Sequence, residues 1–299
     1  MKILLLGKNG QVGWELQRAL APLGELIVVG KEQLDLTDLS ALRQLILDTA
    51  PQWIVNAAAY TAVDKAESEN QLAYIINAQA VEVIAECAKS LDAWFVHYST
   101  DYVFDGSKIG AYVESDKTNP LSVYGQSKLA GEQAIVNSGC LYLIFRTSWV
   151  FSVHGHNFIK SILKLAQTRQ ELNIVADQFG SPTSAELIAD VTALCLKHLV
   201  ELKSPQAVTK CGVYHLVAAG EVSWYLYAQY IIEQCLLLGK SQSVTKERVK
   251  PIPSEAYELP ATRPKNSILS TTKLTEAFNL TMPHWSVHVD QTLADIIRE

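Results

Sequence analysis

The stretch that decides the fold is KILLLGKNGQVGWEL, residues 2–16. An apolar run over residues 2–6 is followed at once by Gly7, Gly10 and Gly13, and then by residues typical of a helix. Glycines permit a tight turn, and the free N–H groups and dipole at a helix N-terminus favour an anion. A strand, a glycine turn and a helix in this order predict a site for the diphosphate of a dinucleotide. The alternative is that these glycines only pack a turn.

The rest of the N-terminal half alternates short apolar runs with longer amphipathic ones. The predicted strands are KILLL (2–6), ELIVV (25–29), WIVNAAA (53–59), WFVHYS (94–99) and LYLIFR (141–146). Helical segments are predicted between them near residues 13–23, 39–49, 71–91 and 124–137. Because these strands are apolar throughout, they are typical of a parallel sheet covered on both faces. The order predicts an α/β fold with a doubly wound parallel sheet of the Rossmann type.

The second half is less regular and predicts a smaller, discontinuous domain. We expect a dinucleotide-binding domain over residues 1–148, rejoined by about 180–220, because GVYHLVA (212–218) is typical of one more buried strand. Residues 149–179 and 221–299 are then expected to form the substrate-binding domain over the carboxyl edge of the sheet.

Composition and charge exclude several classes of protein. Hydrophobic residues make up 48% and charged residues 19%, as in ordinary globular proteins. The formal charge of −6, from 25 basic and 31 acidic residues, gives no basic footprint for nucleic acid. The first apolar run is too short for a signal h-region and no run approaches a membrane span, so we expect a cytoplasmic protein. Five cysteines without a C-x-x-C pair indicate neither a disulfide framework nor a zinc site.

The end of the second predicted strand bears on the choice of cofactor. An acidic residue there would bind the ribose 2′-hydroxyl of NAD, but the chain has Gly30 and Lys31. Lys31 could face a 2′-phosphate, which would favour NADPH over the alternative cofactor NADH. The simpler interpretation is that Lys31 is a solvated surface residue. Asp35 is expected to follow a short strand and to lie near the adenine.

Polar residues with catalytic potential follow the fourth predicted strand, in YSTDYVFDG (98–106), and stand in VYGQSK (123–128). Tyr124 and Lys128 are one helical turn apart and so share a face. An ammonium near a phenol favours its ionised form, which brings a tyrosine closer to the working range of an acid–base catalyst. Thr100 could hydrogen-bond a carbonyl oxygen that becomes an alkoxide. This pattern predicts hydride transfer to a ketone with Tyr124 as the proton donor.

These motifs resemble the extended short-chain dehydrogenase/reductase family. GKNGQVG, NAAAYT, STDYVFDG and YGQSK occur in its order and spacing, and further blocks such as FRTSWVF, DQFGSPTSAELIAD and TRPKNS resemble its dTDP-4-dehydrorhamnose reductase branch. The resemblance implies reduction of the 4-keto group of dTDP-4-dehydro-L-rhamnose by NADPH or NADH. It implies a catalytic triad of Thr100, Tyr124 and Lys128.

The resemblance also implies the binding residues. For the cofactor these are Gly10, Gln11, Val12, Asp35, Leu36, Ala59, Tyr60, Thr61, Tyr98 and Lys128. For the dTDP-sugar they are Thr100, Asp101, Tyr102, Trp149, Asn157 and Arg263. Arg263 could pair with a nucleotide diphosphate, or form only a surface ion pair. Trp149 could lie against a sugar or the nicotinamide, or be core.

A departure from the family argues against a metal. Some members bind Mg²⁺ and form dimers through glutamates that correspond to Glu15, Glu186 and a C-terminal position, where this chain has Ser286. A missing carboxylate weakens a site for a hard cation. A homodimer is left open.

Three other functions compete with the reductase. Sugar-nucleotide dehydratases carry Thr-Asp-Glu at the strand end, and Tyr102 cannot easily replace that glutamate. Epimerases remain as a second alternative. The regulatory β subunit of methionine adenosyltransferase also resembles these reductases, yet works by binding a partner; Thr100, Tyr124 and Lys128 argue for chemistry instead.

Overall fold

A six-stranded parallel sheet forms the centre of the molecule. The computed structural model describes residues 1–202, 205–240 and 242–298. The sheet strands are β1 (Lys2–Leu6), β2 (Glu25–Val29), β3 (Trp53–Asn56), β4 (Trp94–Thr100), β5 (Leu141–Thr147) and β10 (Gly212–His215). They lie in the order β2-β1-β3-β4-β5-β10, and each neighbouring pair is parallel. The doubly wound parallel sheet predicted from the apolar runs is confirmed.

Helices connect the strands on both faces. The helices of the first half are α1 (Gln11–Leu20), α2 (Leu39–Thr49), α3 (Val63–Ala66), α4 (Asn70–Tyr74), α5 (Ala80–Ser90) and α6 (Val123–Ser138). A π turn, Ile75–Gln79, joins α4 to α5, so the helix predicted near residues 71–91 is continuous but unevenly wound. The later helices are α7 (Phe158–Thr168), α8 (Ala185–Glu201), α9 (Trp224–Leu237), α10 (Thr272–Phe278) and α11 (Trp285–Arg298).

The short strands of the second half pair outside the main sheet. They are β6 (Val150–Phe151), β7 (Leu172–Val175), β8 (Phe179–Gly180), β9 (Thr183–Ser184), β11 (Val222–Ser223) and β12 (Val249–Ile252). Their pairs are β6 with β9, β7 with β12, and β8 with β11. Residues on either side of β10 therefore build a separate set of two-stranded ladders.

Two apolar layers explain why the strands are hydrophobic throughout. One face packs Ile3, Leu5, Val96 and Phe145 among the helices α1, α7, α8, α9 and α11. The other face packs residues such as Leu4 against α2, α5 and α6. Burial of both faces removes the polar alternation that a half-exposed strand would show.

Strand order places the functional edge. The chain passes from β1 to β2 on one side and returns to β3 on the other side of β1, so the order reverses between β1 and β3. Ligands of open α/β sheets bind at the carboxyl ends of the strands, at such a reversal. The segments that follow β1, β3, β4 and β5 therefore meet at one edge.

One local prediction is wrong. The short strand expected before Asp35 is absent from residues 30–38, which the structure describes completely and which consist of turns and coil. Asp35 instead accepts hydrogen bonds from the backbone N–H and hydroxyl of Thr37, at 3.0 and 2.9 Å. When an aspartate side chain binds the backbone two residues further on, the backbone forms a turn and not an extended strand.

Within the described residues, none of the helices is long and apolar enough to cross a membrane.

Candidate active site

The glycine turn after β1 is shaped by the segment after β3. Gly7 has φ +88°, and a Cβ there would lie 2.5 Å from the backbone nitrogen of Ala58. A Cβ on Gly13 would collide with the carbonyl of Gly7. Gly7 and Gly13 therefore allow the turn, the helix and the neighbouring chain to approach closely.

The start of α1 fits an anionic diphosphate. Gly10 is the N-cap and provides no side chain to cap the helix. The first amides of a helix lack partners within it, so those of Gln11 and Val12 remain donors for a ligand. A Cβ on Gly10 would meet only the Gly7 carbonyl, at 3.6 Å, which leaves the mouth of the turn open. The turn can hold the diphosphate of a dinucleotide.

The segment after β3 is clamped from the helical layer. The Asn77 side chain accepts from the backbone N–H of Tyr60 at 2.8 Å and donates to its carbonyl at 3.0 Å. Asn77 also donates to the hydroxyl of Ser127 on α6, at 3.0 Å. Asn77 thereby links the backbone of Tyr60, which stands between Ala59 and Thr61 in the chain, to α6. The Tyr60 hydroxyl donates to Glu69 at 2.8 Å.

Thr100 ends β4 in contact with three neighbouring groups. Its hydroxyl accepts from the backbone N–H of Tyr102 at 3.2 Å and donates to the Asp101 carboxyl at 3.0 Å. The Thr100 hydroxyl also lies close enough to Tyr124 to act on its pKa. The Tyr102 ring stands edge-on to the Tyr124 ring, with centroids 5.6 Å apart. The structure therefore brings Thr100, Asp101, Tyr102 and Tyr124 together.

Burial sets the protonation of this cluster. Desolvation raises the pKa of Tyr124 to about 12, although the Thr100 hydroxyl acts in the opposite direction. Desolvation likewise raises the pKa of Asp101 to about 6, against hydrogen bonds from Ser267 and Thr100. Tyr124 therefore holds its proton at neutral pH, as a donor to an alkoxide must.

Lys128 lies one turn after Tyr124 on α6 and is fully buried. Its Nζ donates to the Tyr98 carbonyl at 2.6 Å and lies 3.1 Å from Nε2 of His97. Desolvation lowers the pKa of Lys128 to about 8, while Glu132 acts to raise it. Tyr98 was predicted to contact the cofactor, and its backbone carbonyl is the group that faces Lys128. The Tyr98 hydroxyl instead hydrogen-bonds Thr192, at 2.9 Å, within the core.

Residues of the second half border the same edge. The Asn157 amide donates to the Gln11 side chain at 3.0 Å and so reaches the glycine turn. Trp149 has φ +48° and stacks on Trp224 with ring centroids 3.4 Å apart. A Cβ on Gly180 would lie 2.6 Å from the Trp149 ring, so this glycine admits the indole.

Arg263 is paired across the molecule rather than free. Its guanidinium donates to both oxygens of Asp64, at 3.2 and 2.9 Å. Arg263 also lies close enough to Tyr102 for each residue to act on the pKa of the other. Arg263 therefore lies next to the Thr100 cluster, with Asp64 as a partner that the sequence did not suggest.

The residues predicted for the adenosine end lie apart from the cluster. Lys31 is 85% exposed and is 3.7 Å from Asp35, while Leu36 packs on the α2 side of the sheet. Glu32 turns back to the glycine turn, where it pairs with Lys8 at 2.8 Å and accepts from Asn9 at 2.9 Å.

Glu15 and Glu186 lie beside the same arginine. The guanidinium of Arg18 lies 3.6 Å from Glu15, 3.8 Å from Glu186 and 2.8 Å from Asp190. The guanidinium supplies one positive charge to this group of three carboxylates. Over the described ranges, the structure contains no group of three or more His, Cys, Asp or Glu side chains suited to a metal ion.

Asn56, Asp64, Asn77 and His97 were missed by sequence reasoning. Asn56 and His97 stand inside apolar strand motifs. A polar residue in such a run needs a hydrogen-bond partner when buried, and this was the sequence signal that could have identified them. Asp64 and Asn77 gave none, because their partners are distant in sequence.

A doubly wound sheet with this cluster at its carboxyl edge defines the class of extended short-chain dehydrogenase/reductases. The chain belongs to the family described as RmlD substrate binding domain, whose model matches residues 1–298.

Relatives match the chain along nearly its whole length. A dTDP-4-dehydrorhamnose reductase of Escherichia coli K12 is 47% identical over 300 residues, covering 99% of this chain and 98% of the relative. One of Burkholderia thailandensis is 45% identical over 299 residues and covers 100% of both. A dTDP-4-dehydrorhamnose reductase structure from Bacillus anthracis, in complex with NADP, is 33% identical with a TM-score of 0.85, covering 99% and 98% of the two chains.

Proposed function

We propose that this chain catalyses the NADPH-dependent reduction of dTDP-4-dehydro-L-rhamnose to dTDP-L-rhamnose, with NADH as the alternative cofactor. Full-length relatives carry the name dTDP-4-dehydrorhamnose reductase, and one solved structure of that name holds NADP. We also propose that the protein is cytoplasmic, as expected from the sequence.

The observation that carries this proposal is the grouping of Thr100, Tyr102 and Tyr124 at the carboxyl end of β4, where the Thr100 hydroxyl accepts from the Tyr102 N–H at 3.2 Å and the Tyr102 and Tyr124 ring centroids are 5.6 Å apart. Lys128 lies one turn further along α6. The glycine turn with its free amides follows β1, which is separated from β4 only by β3 in the sheet. A protonated phenol, an alcohol and an amine thus lie at the edge where a dinucleotide would bind. This is the donor set that reduction of a ketone needs.

The chain's own residues account for the proton in this reaction. A reduced nicotinamide, when bound, supplies the hydride that forms the new C–H bond at C4 of the sugar. As charge develops on the C4 oxygen, the Tyr124 hydroxyl donates its proton there, and the Thr100 hydroxyl turns its one proton from the Asp101 carboxyl to that oxygen. Tyr124 is left as a phenolate until it regains a proton from solvent.

Binding of the ligands is assigned to the residues around this cluster. The glycine turn from Gly7 to Gly13 would hold the cofactor diphosphate, and Ala59, Tyr60 and Thr61 would line its path to Lys128. Asp101, Tyr102, Trp149, Asn157 and Arg263 would contact the dTDP-sugar. We assign residues 149–179 and 221–299 to the substrate-binding domain, because they supply Trp149, Asn157 and Arg263.

The test is turnover with identified product. The purified chain is mixed with dTDP-4-dehydro-L-rhamnose and NADPH, reduced-nicotinamide absorbance is followed, and the sugar nucleotide is identified by NMR. Loss of absorbance with formation of dTDP-L-rhamnose is expected. No consumption of NADPH or NADH, or a 4-epimeric product, would refute the proposal.

A further inference from the structure

Trp149 holds a backbone conformation that a bulky side chain rarely adopts. Its φ is +48°, in the left-handed region that favours glycine and is an outlier for a residue of this size. Such a conformation persists only where the surrounding structure holds it, and it is frequent at ligand sites. The groups that hold Trp149 are therefore candidates for positioning residues.

The backbone of Trp149 is fixed next to the Thr100 cluster. Thr100 and Thr147 are neighbours in the register of β4 and β5, and Trp149 follows two residues later. The Trp149 carbonyl accepts from the N–H of Thr183 at 3.3 Å, and the chain then enters β6, which pairs with β9. The indole thus starts from an anchored backbone at the carboxyl edge of the sheet.

One face of the Trp149 indole is covered by Trp224, the first residue of α9. The two rings have centroids 3.4 Å apart and lie within 10° of parallel. Phe158, the first residue of α7, tilts against Trp224 with centroids 4.5 Å apart. Two rings cannot share one face of an indole at these distances, so Phe158 supports Trp224 from the far side. The packing of two helices is thereby transmitted to the Trp149 ring.

The other face of the indole lies against Gly180 of β8. A Cβ on Gly180 would lie 2.6 Å from Cε2, 2.8 Å from Nε1 and 3.0 Å from Cζ2 of the Trp149 ring. Since Trp224 already occupies one face, Gly180 lies on the opposite one. The indole is therefore clamped between an aromatic ring and a backbone that has no side chain.

The strand that supplies Gly180 also reaches the substrate side of the Thr100 cluster. The carbonyl of Phe179, which precedes it, accepts from the N–H of Ser267 at 2.8 Å. Ser267 lies close enough to Asp101 to act on its pKa. The clamped Trp149 ring therefore stands between the end of β5 and a segment that borders Asp101.

We propose that Trp224 and Gly180 are positioning residues, which clamp the Trp149 indole and so fix the wall against which the dTDP-sugar binds. Trp149 is only partly buried, which leaves part of its ring for a ligand. A ring that is already fixed loses little conformational freedom when a ligand binds, and this favours affinity. The role rests on the proposed function, because the contact between Trp149 and the dTDP-sugar is part of it.

The stack is tested on the free protein by NMR. Protons held over the face of an aromatic ring are shielded, so the ring protons of Trp149 should resonate upfield of ordinary values. Their signals are identified among those of the six tryptophans by their loss in Trp149→Phe. In Trp224→Leu they should move downfield. Ordinary shifts in the wild type, or shifts that Trp224→Leu leaves in place, would overturn the clamp.

Gly180→Ala tests the clamp through binding. Gly180 lies outside the left-handed region, so alanine adds no backbone strain, but its methyl collides with the indole. The Kd for dTDP-L-rhamnose, by calorimetry, should rise by about 3- to 10-fold, with the Kd for NADPH unchanged. In a Trp149→Leu background the smaller side chain leaves room, so Gly180→Ala should then cost less than about twofold. Equal losses in both backgrounds, or an equal loss of NADPH affinity, would overturn the role.

Trp224 is tested by a pair of variants. Trp224→Leu should raise the Kd for dTDP-L-rhamnose by about 2- to 10-fold, whereas Trp224→Phe keeps a flat ring and should raise it by less than about twofold. Gly212→Ala on β10 is the matched control, because its Cβ would meet only ordinary contacts, the nearest at 3.5 Å. It should leave the Kd values for dTDP-L-rhamnose and NADPH unchanged.

The two proposals fail in different ways. If the wild type binds dTDP-L-rhamnose and both Gly180→Ala and Trp224→Leu bind it equally well, the positioning role is wrong and the proposed reduction is untouched. A wild type that does not bind dTDP-L-rhamnose would overturn the proposed function and this role together.

Discussion

Arg263 and Asp64 form a two-pronged ion pair that ties the segment after β12 to α3, with guanidinium–carboxylate distances of 3.2 and 2.9 Å. The pair lies beside Tyr102 and hence beside the proposed sugar-nucleotide site. It holds the guanidinium ready, and a diphosphate can compete with Asp64 for the same planar donors.

Replacement of Arg263 should therefore affect substrate binding more than chemistry. In Arg263→Lys a point charge replaces the planar fork, which is worth about 1.5–3 kcal/mol where it binds an anion, or about 10- to 100-fold in KM for the sugar nucleotide. Initial rates at varied sugar nucleotide would separate KM from kcat. Arg298→Lys, at the exposed end of α11, is the control. An unchanged KM would rule out the diphosphate contact.

The same pair predicts a pH dependence of stability. Burial acts to raise the pKa of Asp64, but hydrogen bonds from Arg263 and the Ala261 N–H outweigh it, so the pKa lies below its ordinary value. A carboxyl with a lowered folded pKa stabilises the protein above its unfolded pKa and loses that effect as pH falls through the folded value. Asp64→Asn should cost about 1 kcal/mol at neutral pH and progressively less in acid, by urea unfolding. A cost that grows in acid would contradict this.

Lys31 tests the predicted cofactor preference. NADPH should bind more tightly than NADH, and Lys31→Ala should weaken NADPH by up to about fivefold, the range of an exposed charge pair, while NADH is unaffected. Titration calorimetry with both cofactors gives the two ratios. A clear NADH preference in the wild type would refute the prediction. Equal losses for the two cofactors in Lys31→Ala would show that Lys31 does not read the 2′-phosphate.

Glu132 and Arg146 form the most deeply buried ion pair in the described part of the chain, with side chains 4% and 5% exposed. Removing one partner strands the other charge, so Glu132→Leu should cost about 3–5 kcal/mol of unfolding free energy. The double variant Glu132→Leu, Arg146→Met should regain most of that loss, because neither charge remains. Urea unfolding measures both. A double variant less stable than either single one would contradict the prediction.

The sheet was predictable because burial on both faces leaves a simple pattern. The bounds of β1 and β2 match the apolar runs at 2–6 and 25–29, and the run at 212–218 contains β10, Gly212–His215. The strand expected before Asp35 is absent, since the N–H and hydroxyl of Thr37 bind the Asp35 carboxylate in a local turn. Local hydrogen bonds of this kind are invisible to hydrophobic periodicity.

The candidate site was predictable only where its residues fall in short motifs. Tyr124 and Lys128 are one turn apart, so helix geometry places them on one face. Thr100 ends a strand, and ligands of such sheets bind at the carboxyl ends of the strands. Asp64 and Arg263 are 199 residues apart in the chain, and no local pattern can indicate their pairing. His97 reads as a core position in its strand, and only the tertiary structure shows that its ring reaches Lys128.

The central claim is that Tyr124 gives its proton to the sugar oxygen, and Tyr124→Phe tests it most directly. The variant keeps the ring that packs against Tyr102 and loses only the hydroxyl. Turnover of dTDP-4-dehydro-L-rhamnose with NADPH should fall by about 10²- to 10⁴-fold, with the Kd for NADPH within a few fold of wild type.

Tyr214→Phe is the matched control. Tyr214 is a buried residue of β10, and the substitution removes only its hydroxyl, which donates to the Lys210 carbonyl at 2.7 Å. It should retain kcat. The account predicts that kcat collapses in Tyr124→Phe alone; a Tyr124→Phe enzyme that turns over at the wild-type rate would contradict it.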